Sequence, residues 1–159
     1  MSEDMPEHHD RTGPVLVAVD FSDDSRAALM WASREATRWD RSLTILHVVH
    51  DPAASPGFYN EVTETLPRPM AEVARDMMDD FLKAVRADHP ELGALANAEV
   101  KLVIGPPAGR IVEVATQIDT PLIVIGSRGL TGLPHILIGS VAERVVQLAP
   151  VPVVVVKQS

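Results

Sequence analysis

Three glycines, an arginine and a serine form a pattern near residue 130 that suits the binding of a phosphate group. Gly129 stands three positions after Gly126, and Gly139–Ser140 follow after nine more residues. Glycine has no Cβ, so such a backbone can bend and turn its N–H groups toward an anion. Gly139–Ser140 also precede an apolar pattern of helical period, and the free amides at the start of a helix favour phosphate. Arg128 adds a mobile positive charge. The alternative is a loop whose glycines only make turns and whose Ser140 only caps the helix.

Asp20 directly follows the first apolar run and is a second candidate for ligand binding. At the end of a strand its carboxylate would face the cleft, where it can accept hydrogen bonds from a ribose hydroxyl or an adenine amine without a metal. The alternative is a solvated or helix-capping aspartate. Ser22 is a natural N-cap, with Asp23 and Asp24 placed to favour the helix dipole.

The sequence lacks the patterns of several other phosphate-binding and catalytic sites. A P-loop needs a lysine beside its glycines, and no lysine stands near this loop. The dinucleotide fingerprint should follow the first strand, where Asp20-Phe21-Ser22 stand instead. A receiver domain needs an acidic cluster at its strand ends, and no set of Ser, His and Asp forms a credible triad. The absence of cysteine excludes disulfides, thiolate metal sites and cysteine catalysis.

Length and charge indicate one soluble domain of 159 residues. The net charge of −8 argues against nucleic-acid or acidic-membrane partners. No apolar run approaches the ~20 residues of a membrane span, and no secretory signal follows Met1, so we expect a cytoplasmic location. Residues 1–12 are typical of a flexible polar tail, in which His8–His9 favour a solvated pair over a metal site. Residues 13–159 then form the ordered domain.

Apolar runs alternate with helical patterns along the rest of the chain, which predicts a doubly wound parallel α/β sheet with helices on both faces. A long irregular stretch covers 51–69, and the next helix has the predicted apolar face Met70, Val73, Met77, Phe81 and Val85. The predicted strands are Val15–Val19, Leu43–Val49, Val100–Ile104, Leu122–Ile125 and Val151–Val156. The predicted helices run from Ser22 to about Trp39, from Met70 to about Ala87, across 111–118 and across 141–149.

The last strand predicts a homodimer. It is the last predicted element of the chain and follows Pro150 and Pro152, so we expect it at the edge of the sheet. Four consecutive valines, Val153–Val156, would be an aggregation hazard on an exposed edge. Antiparallel pairing with the same strand of a second copy removes that edge and gives a two-fold interface. The alternative is an edge covered by the N-terminal tail.

Several segments, in the same order, resemble the ATP-binding subfamily of the universal stress protein family from Gly13 to Lys157. Gly126, Gly129, Gly139 and Ser140 match the family signature G-x-x-G-x9-G-[ST] at full spacing. The opening V-A-V-D-F-S-D-D-S, the strand at Leu46-His47-Val48 and the turn Gly105-Pro106-Pro107 also fit. So does the run from Gly139 to Val145.

The resemblance implies a five-stranded sheet of order 3-2-1-4-5, with ATP across the carboxyl ends of the first and fourth strands. It implies that Mg²⁺ arrives with the nucleotide and that no protein side chains form a metal cage. Leu130 and Pro134 stand where many relatives have basic residues, which weakens charge pairing to a γ-phosphate and lets AMP or ADP compete. The nucleotide-binding residues carried over are Ala18, Asp20, Val48, Ile125, Gly126, Arg128, Gly129, Gly139, Ser140 and Val141.

The leading hypothesis is a homodimeric stress-response protein that binds ATP and acts as a nucleotide-dependent switch or partner-binding module. No catalytic residue is assigned, because no general base stands out beside the phosphates, so any hydrolysis should be slow. The alternatives are a slow ATPase or adenylate-handling enzyme, and a dimer scaffold that binds no nucleotide.

Overall fold

The computed structural model describes residues 11–49, 69–129 and 137–158, and its elements follow the predicted alternation of strands and helices. The short helix α3 was not predicted, because four residues are too few to show a helical period. The elements in chain order are β1 (Val15–Ala18), α1 (Asp23–Arg38), β2 (Leu43–Val49), α2 (Met70–Asp88), α3 (Gly93–Ala96), β3 (Glu99–Ile104), α4 (Pro107–Gln117), β4 (Ile123–Gly126), α5 (Ser140–Leu148) and β5 (Val153–Val156).

The five strands form one sheet in the order β3-β2-β1-β4-β5, and every pairing is parallel. The predicted fold class and the order 3-2-1-4-5 are therefore confirmed. The chain moves outward from β1 through β2 to β3 and then returns to β4 on the other side of β1. That reversal opens a crevice at the carboxyl ends of β1 and β4, where ligands of such sheets bind.

Helices cover both faces of the sheet, which explains why β1 is a continuous apolar run rather than an alternating one. Side chains of a strand point alternately to the two faces. Val15 and Val17 therefore pack in a core cluster with α1, α2 and α3. Leu16 and Ala18 pack in a second cluster with α4 and α5.

Two predicted helix faces differ from the observed ones. Helix α2 buries Val73, Ala74, Met78, Leu82 and Val85, whereas Met77 and Phe81 are only half-buried. At 3.6 residues per turn, the rows 73-77-81 and 74-78-82 are adjacent, and the second row faces the core because α2 packs against β2 and β3. In α5, the helical pattern of apolar residues at 141, 142, 145, 146 and 149 includes Val146, which is 48% exposed, whereas Ala142 and Val145 are buried.

Strands β3 and β5 are the two edges of the sheet. Each valine of β5 is half-buried, and the predicted position of this strand at an edge agrees with the topology. Within the described ranges, no helix is long and apolar enough to cross a membrane. The tail at 1–10, the irregular stretch at 50–68, the loop at 130–136 and Ser159 lie outside the described residues.

Candidate functional site

Three apolar residues lie at or near the ends of neighbouring strands, on one face of the sheet. Ala18 of β1 pairs in register with Ile125 of β4, and Val48 stands near the end of β2. All three belong to the core cluster beneath α4 and α5, and each is only 6–7% exposed. Val141, in the first turn of α5, packs against the same cluster. We call Ala18, Val48, Ile125 and Val141 the apolar wall.

Asp20 occupies a tight turn between β1 and α1. Its Oδ1 accepts a hydrogen bond from the Ser22 amide at 3.0 Å and another from the Ser22 hydroxyl. Ser22 is the N-cap of α1, and its Oγ accepts from the Ser25 amide at 3.2 Å. Oδ1 of Asp20 therefore forms an Asx-turn, in which the aspartate side chain accepts a hydrogen bond from the amide two residues later. The second oxygen, Oδ2, lies so close to Gly129 that a Cβ built there would be 2.8 Å away.

Phe21 holds this turn in place. Its φ of 69° lies in the left-handed region, which is uncommon for a bulky residue and persists only where the surroundings fix it. The ring lies against His47 at a tilt of 38°, with centroids 4.5 Å apart, and makes an edge-to-face contact with Phe81 at 5.7 Å. His47 is buried, and its Nδ1 lies 2.8 Å from the Val19 carbonyl, which can only accept, so Nδ1 donates. These contacts aim Asp20 toward the glycine loop.

Ser127 joins the two ends of the glycine loop. Its carbonyl accepts a hydrogen bond from the Gly139 amide, and its hydroxyl donates to the Leu137 carbonyl. The Ser127 amide donates to Val156 of β5 at 2.8 Å. These bonds bring the start of α5 beside the end of β4. Sequence reasoning did not select Ser127, although a serine directly after a buried strand and between two glycines was an available signal.

The three glycines are required by close approaches rather than by turns. None has a left-handed φ. A Cβ on Gly126 would lie 2.8 Å from the Asp24 carbonyl carbon and from the Ser25 amide nitrogen, because β4 ends against the first turn of α1. A Cβ on Gly139 would lie 3.1 Å from the Ser127 carbonyl oxygen. The turn-only alternative therefore does not account for these positions.

Ser140 does not cap its helix. Gly139 is the N-cap of α5, with no side-chain cap, and Ser140 is the exposed first residue of the helix. The first helical hydrogen bond runs from the Glu143 amide to the Gly139 carbonyl. The amides of the three residues before Glu143 have no partner within the helix, as at any helix start. This turn can therefore donate hydrogen bonds to an anion.

Arg128 is tethered, whereas the sequence suggested a mobile charge. Its Nε and its amide both donate to Oδ2 of Asp24, at 3.2 Å and 3.0 Å. The amide of Gln158 donates to Oδ1 of Asp24 at 3.1 Å. Burial raises the pKa of Asp24, but the hydrogen bonds from Arg128 and Gln158 outweigh burial and leave that pKa below its ordinary value. The carboxylate is therefore charged at neutral pH, and the Asp24 side chain is only 4% exposed.

A concavity of about 270 Å³ adjoins this ion pair on the α1 side of the loop. It shares Arg128 and Gly129 with the glycine loop but includes no residue of the apolar wall, which lies on the opposite face of the sheet. A flat apolar group fits the wall better, because the lining of the concavity is polar and acidic. The concavity is lined by Phe21, Ser22, Asp23, Asp24, Arg128, Gly129 and Gln158.

Comparison with known families agrees with this arrangement. The model described as "Universal stress protein family" matches residues 12–157 of the chain. The chain belongs to the universal stress protein family. The predicted resemblance is confirmed at the level of the family.

This universal stress protein is 35% identical over 144 residues to universal stress protein MJ0531 of Methanocaldococcus jannaschii, over 91% of this chain and 81% of that protein. The solved structure of UspA from Lactobacillus plantarum has a TM-score of 0.68 at 30% identity and covers 92% of this chain and 98% of its own. The universal stress protein from Archaeoglobus fulgidus, solved in complex with dAMP, has a TM-score of 0.65 at 26% identity, covering 92% and 99%.

Proposed function

We propose that this universal stress protein binds ATP or a related adenine nucleotide, ADP or AMP, at the carboxyl ends of β1 and β4. The closure of the glycine loop carries the proposal, because the bond from the Gly139 amide to the Ser127 carbonyl holds the start of α5 beside β4. A purine suits the apolar wall on that face, and a phosphate suits the free amides of the helix. The dAMP bound by the Archaeoglobus relative supports an adenine ligand.

Each predicted residue has a role in this proposal. Ala18, Val48 and Ile125 contact the adenosine, and Oδ2 of Asp20 accepts a hydrogen bond from a ribose hydroxyl or the adenine amine. Gly126 and Gly129 let the backbone approach the phosphates. At the helix start, Gly139 closes the loop. The Ser140 hydroxyl and the amides of Ser140 and Val141 donate to phosphate oxygens, and Arg128 lies beside the phosphates in its ion pair with Asp24.

Magnesium enters with a triphosphate in this proposal. The described residues contain no group of three or more His, Cys, Asp or Glu that could hold a metal ion. Binding alters the loop that Ser127 closes, and the protein works in the cytoplasm as a nucleotide-dependent switch or partner-binding module in the stress response. Ser127 also bonds to β5, so a change in the loop reaches the edge of the sheet.

The test is mass spectrometry of small molecules released from undialysed protein, with calorimetric titration of ATP, ADP and AMP. We expect co-purified adenine nucleotide or micromolar binding, abolished by Gly139→Val because the new side chain meets the Ser127 carbonyl. Gly93→Val is the matched control, since a Cβ on Gly93 meets nothing within 4 Å. A protein that carries no nucleotide and ignores all three would overturn the proposal.

We propose that the homodimer forms through antiparallel pairing of Val153–Val156 with a second copy. Because the carbonyls of Pro152 and Val156 accept hydrogen bonds from β4, the amide of Val155 points to the open edge. Val155→Pro removes that donor and should convert dimer to monomer in light scattering, whereas Val155→Ala keeps the amide and should stay dimeric. A monomeric wild-type protein contradicts the dimer and leaves the nucleotide proposal standing.

A further inference from the structure

Asp24 neutralises the positive charge that Arg128 would otherwise add to the glycine loop. Its carboxylate accepts two hydrogen bonds from Arg128 and one from Gln158, and it is 4% exposed. A buried carboxylate with three donors neutralises the guanidinium more fully than an exposed pair, in which water screens the attraction. Arg128 is therefore one half of an ion pair, and the pair as a whole has no net charge.

Arg128 is also the only cation that the sequence places in this loop. From Gly129 to Gly139 there is no lysine or arginine. In neighbouring parts of the described chain, Arg26 pairs with Asp88 and Arg110 pairs with Glu113. Asp20, whose Oδ2 approaches Gly129, adds a negative charge beside the same turn. The charged residues that bond within this turn, Asp20, Asp24 and Arg128, therefore sum to a charge of −1.

We propose that Asp24 sets the phosphate-charge preference of the nucleotide site, so that a singly phosphorylated adenine nucleotide binds better than metal-free ATP. The inference depends on the proposed nucleotide binding. ATP without metal carries about two more negative charges than AMP, and each is repelled by the negative charge that Asp20 leaves beside the neutralised Arg128. Mg²⁺ bound to the triphosphate supplies the charge that Arg128 does not, so Asp24 also makes ATP binding depend on the metal.

The experiment is calorimetric titration of the full chain with AMP and with ATP, first in EDTA and then with excess Mg²⁺. The measured quantity is the ratio of the dissociation constant of ATP to that of AMP. In EDTA we expect wild-type protein to bind AMP more tightly, and Asp24→Asn to lower the ratio about tenfold because Arg128 becomes a free cation. With Mg²⁺ the two proteins should converge.

Asp23→Asn is the matched control, because it removes the same charge from an exposed neighbour in the same helical turn. It should change the ratio less than about twofold, as expected for an exposed, screened charge. Thermal unfolding of each variant checks that the fold is retained. If Asp24→Asn does not fold, Arg128→Gln provides a second test, since it leaves Asp24 uncompensated and should raise the ratio.

The double variant Asp24→Asn/Arg128→Gln separates this inference from direct clamping of phosphate by Arg128. If the summed charge decides, the double variant returns to the wild-type ratio. A double variant that matches Arg128→Gln alone would overturn the inference, as would folded Asp24→Asn protein with the wild-type ratio. If the wild type binds neither nucleotide, the proposed function has failed, whereas binding of both with unchanged ratios refutes only the role of Asp24.

Discussion

The two sides of the glycine loop differ in what they leave available to a ligand. On the α1 side, Asp20, Ser22, Asp24 and Arg128 bond mainly to one another and to the backbone. Among the described residues, no buried side-chain nitrogen or oxygen lacks a hydrogen-bond partner. On the α5 side, the apolar wall meets a helix start whose first amides have no partner within the helix. Thus the polar side positions the loop, and the other side offers the surface.

This difference separates structural from functional roles among residues that share one sequence motif. Gly126 and Asp24 belong to the positioning side, because one is pressed against α1 and the other anchors Arg128 and Gln158. Ser140 and Val141 belong to the open side. Substitution of Gly126 should change stability before binding, whereas substitution of the exposed Ser140 should change binding with little effect on stability.

The largest expected effect on stability is at Gly126. Gly126→Ala forces a Cβ to within 2.8 Å of the backbone at Asp24 and Ser25, so either β4 or α1 must move. We expect the free energy of unfolding to fall by about 2–3 kcal/mol, measured by urea denaturation. Gly93→Ala is the control, because its Cβ has open space, and it should raise stability by ~0.5 kcal/mol or leave it unchanged. Equal stabilities for the two variants would contradict the positioning role of Gly126.

The sheet was predictable because its signals are local and repeated. β2 was predicted with its observed bounds, and the cap of α1 at Ser22 follows from residue type alone. The face of α2 was harder, since two adjacent rows are both apolar and only the packing of α2 against the sheet selects the row with Met78 and Leu82. The strand order came from the family resemblance, because periodicity does not state which strands pair.

The contacts of the candidate site residues were only partly predictable. Its glycines and Asp20 were selected by type and spacing. Pairing between Asp24 and Arg128 was not foreseen, because the two residues are 104 positions apart and meet only when β4 ends against α1. Ser127 was missed for a similar reason, since its partners Gly139 and Leu137 come from the far end of the loop.

A smaller effect is expected where Ser127 joins the loop ends. Ser127→Ala removes the hydroxyl that donates to the Leu137 carbonyl, which should lower the free energy of unfolding by about 1 kcal/mol. Amides at the start of α5 should also exchange faster with deuterium. Ser33→Ala is the control, because Ser33 is equally buried and donates to a carbonyl within its own helix, whose backbone bond remains. Identical exchange in both variants would show that Ser127 does not hold the loop.

The smallest expected effect is the pH dependence that Asp24 contributes on the positioning side. Its pKa in the folded protein lies below the ordinary value of 3.8, so the folded state binds this proton less readily than the unfolded state does. The stabilisation is therefore fully present above about pH 5 and is lost as the pH falls through the folded pKa. In urea denaturation at pH 6, 4 and 3, the free energy of unfolding of the wild type should exceed that of Asp24→Asn by less as the solution becomes more acidic. Asp23→Asn is the matched control, because it removes a carboxylate from the same helical turn that has no hydrogen bond to another described residue. If wild type and Asp24→Asn lose the same free energy of unfolding between pH 6 and pH 3, the hydrogen bonds from Arg128 and Gln158 do not favour the charged carboxylate.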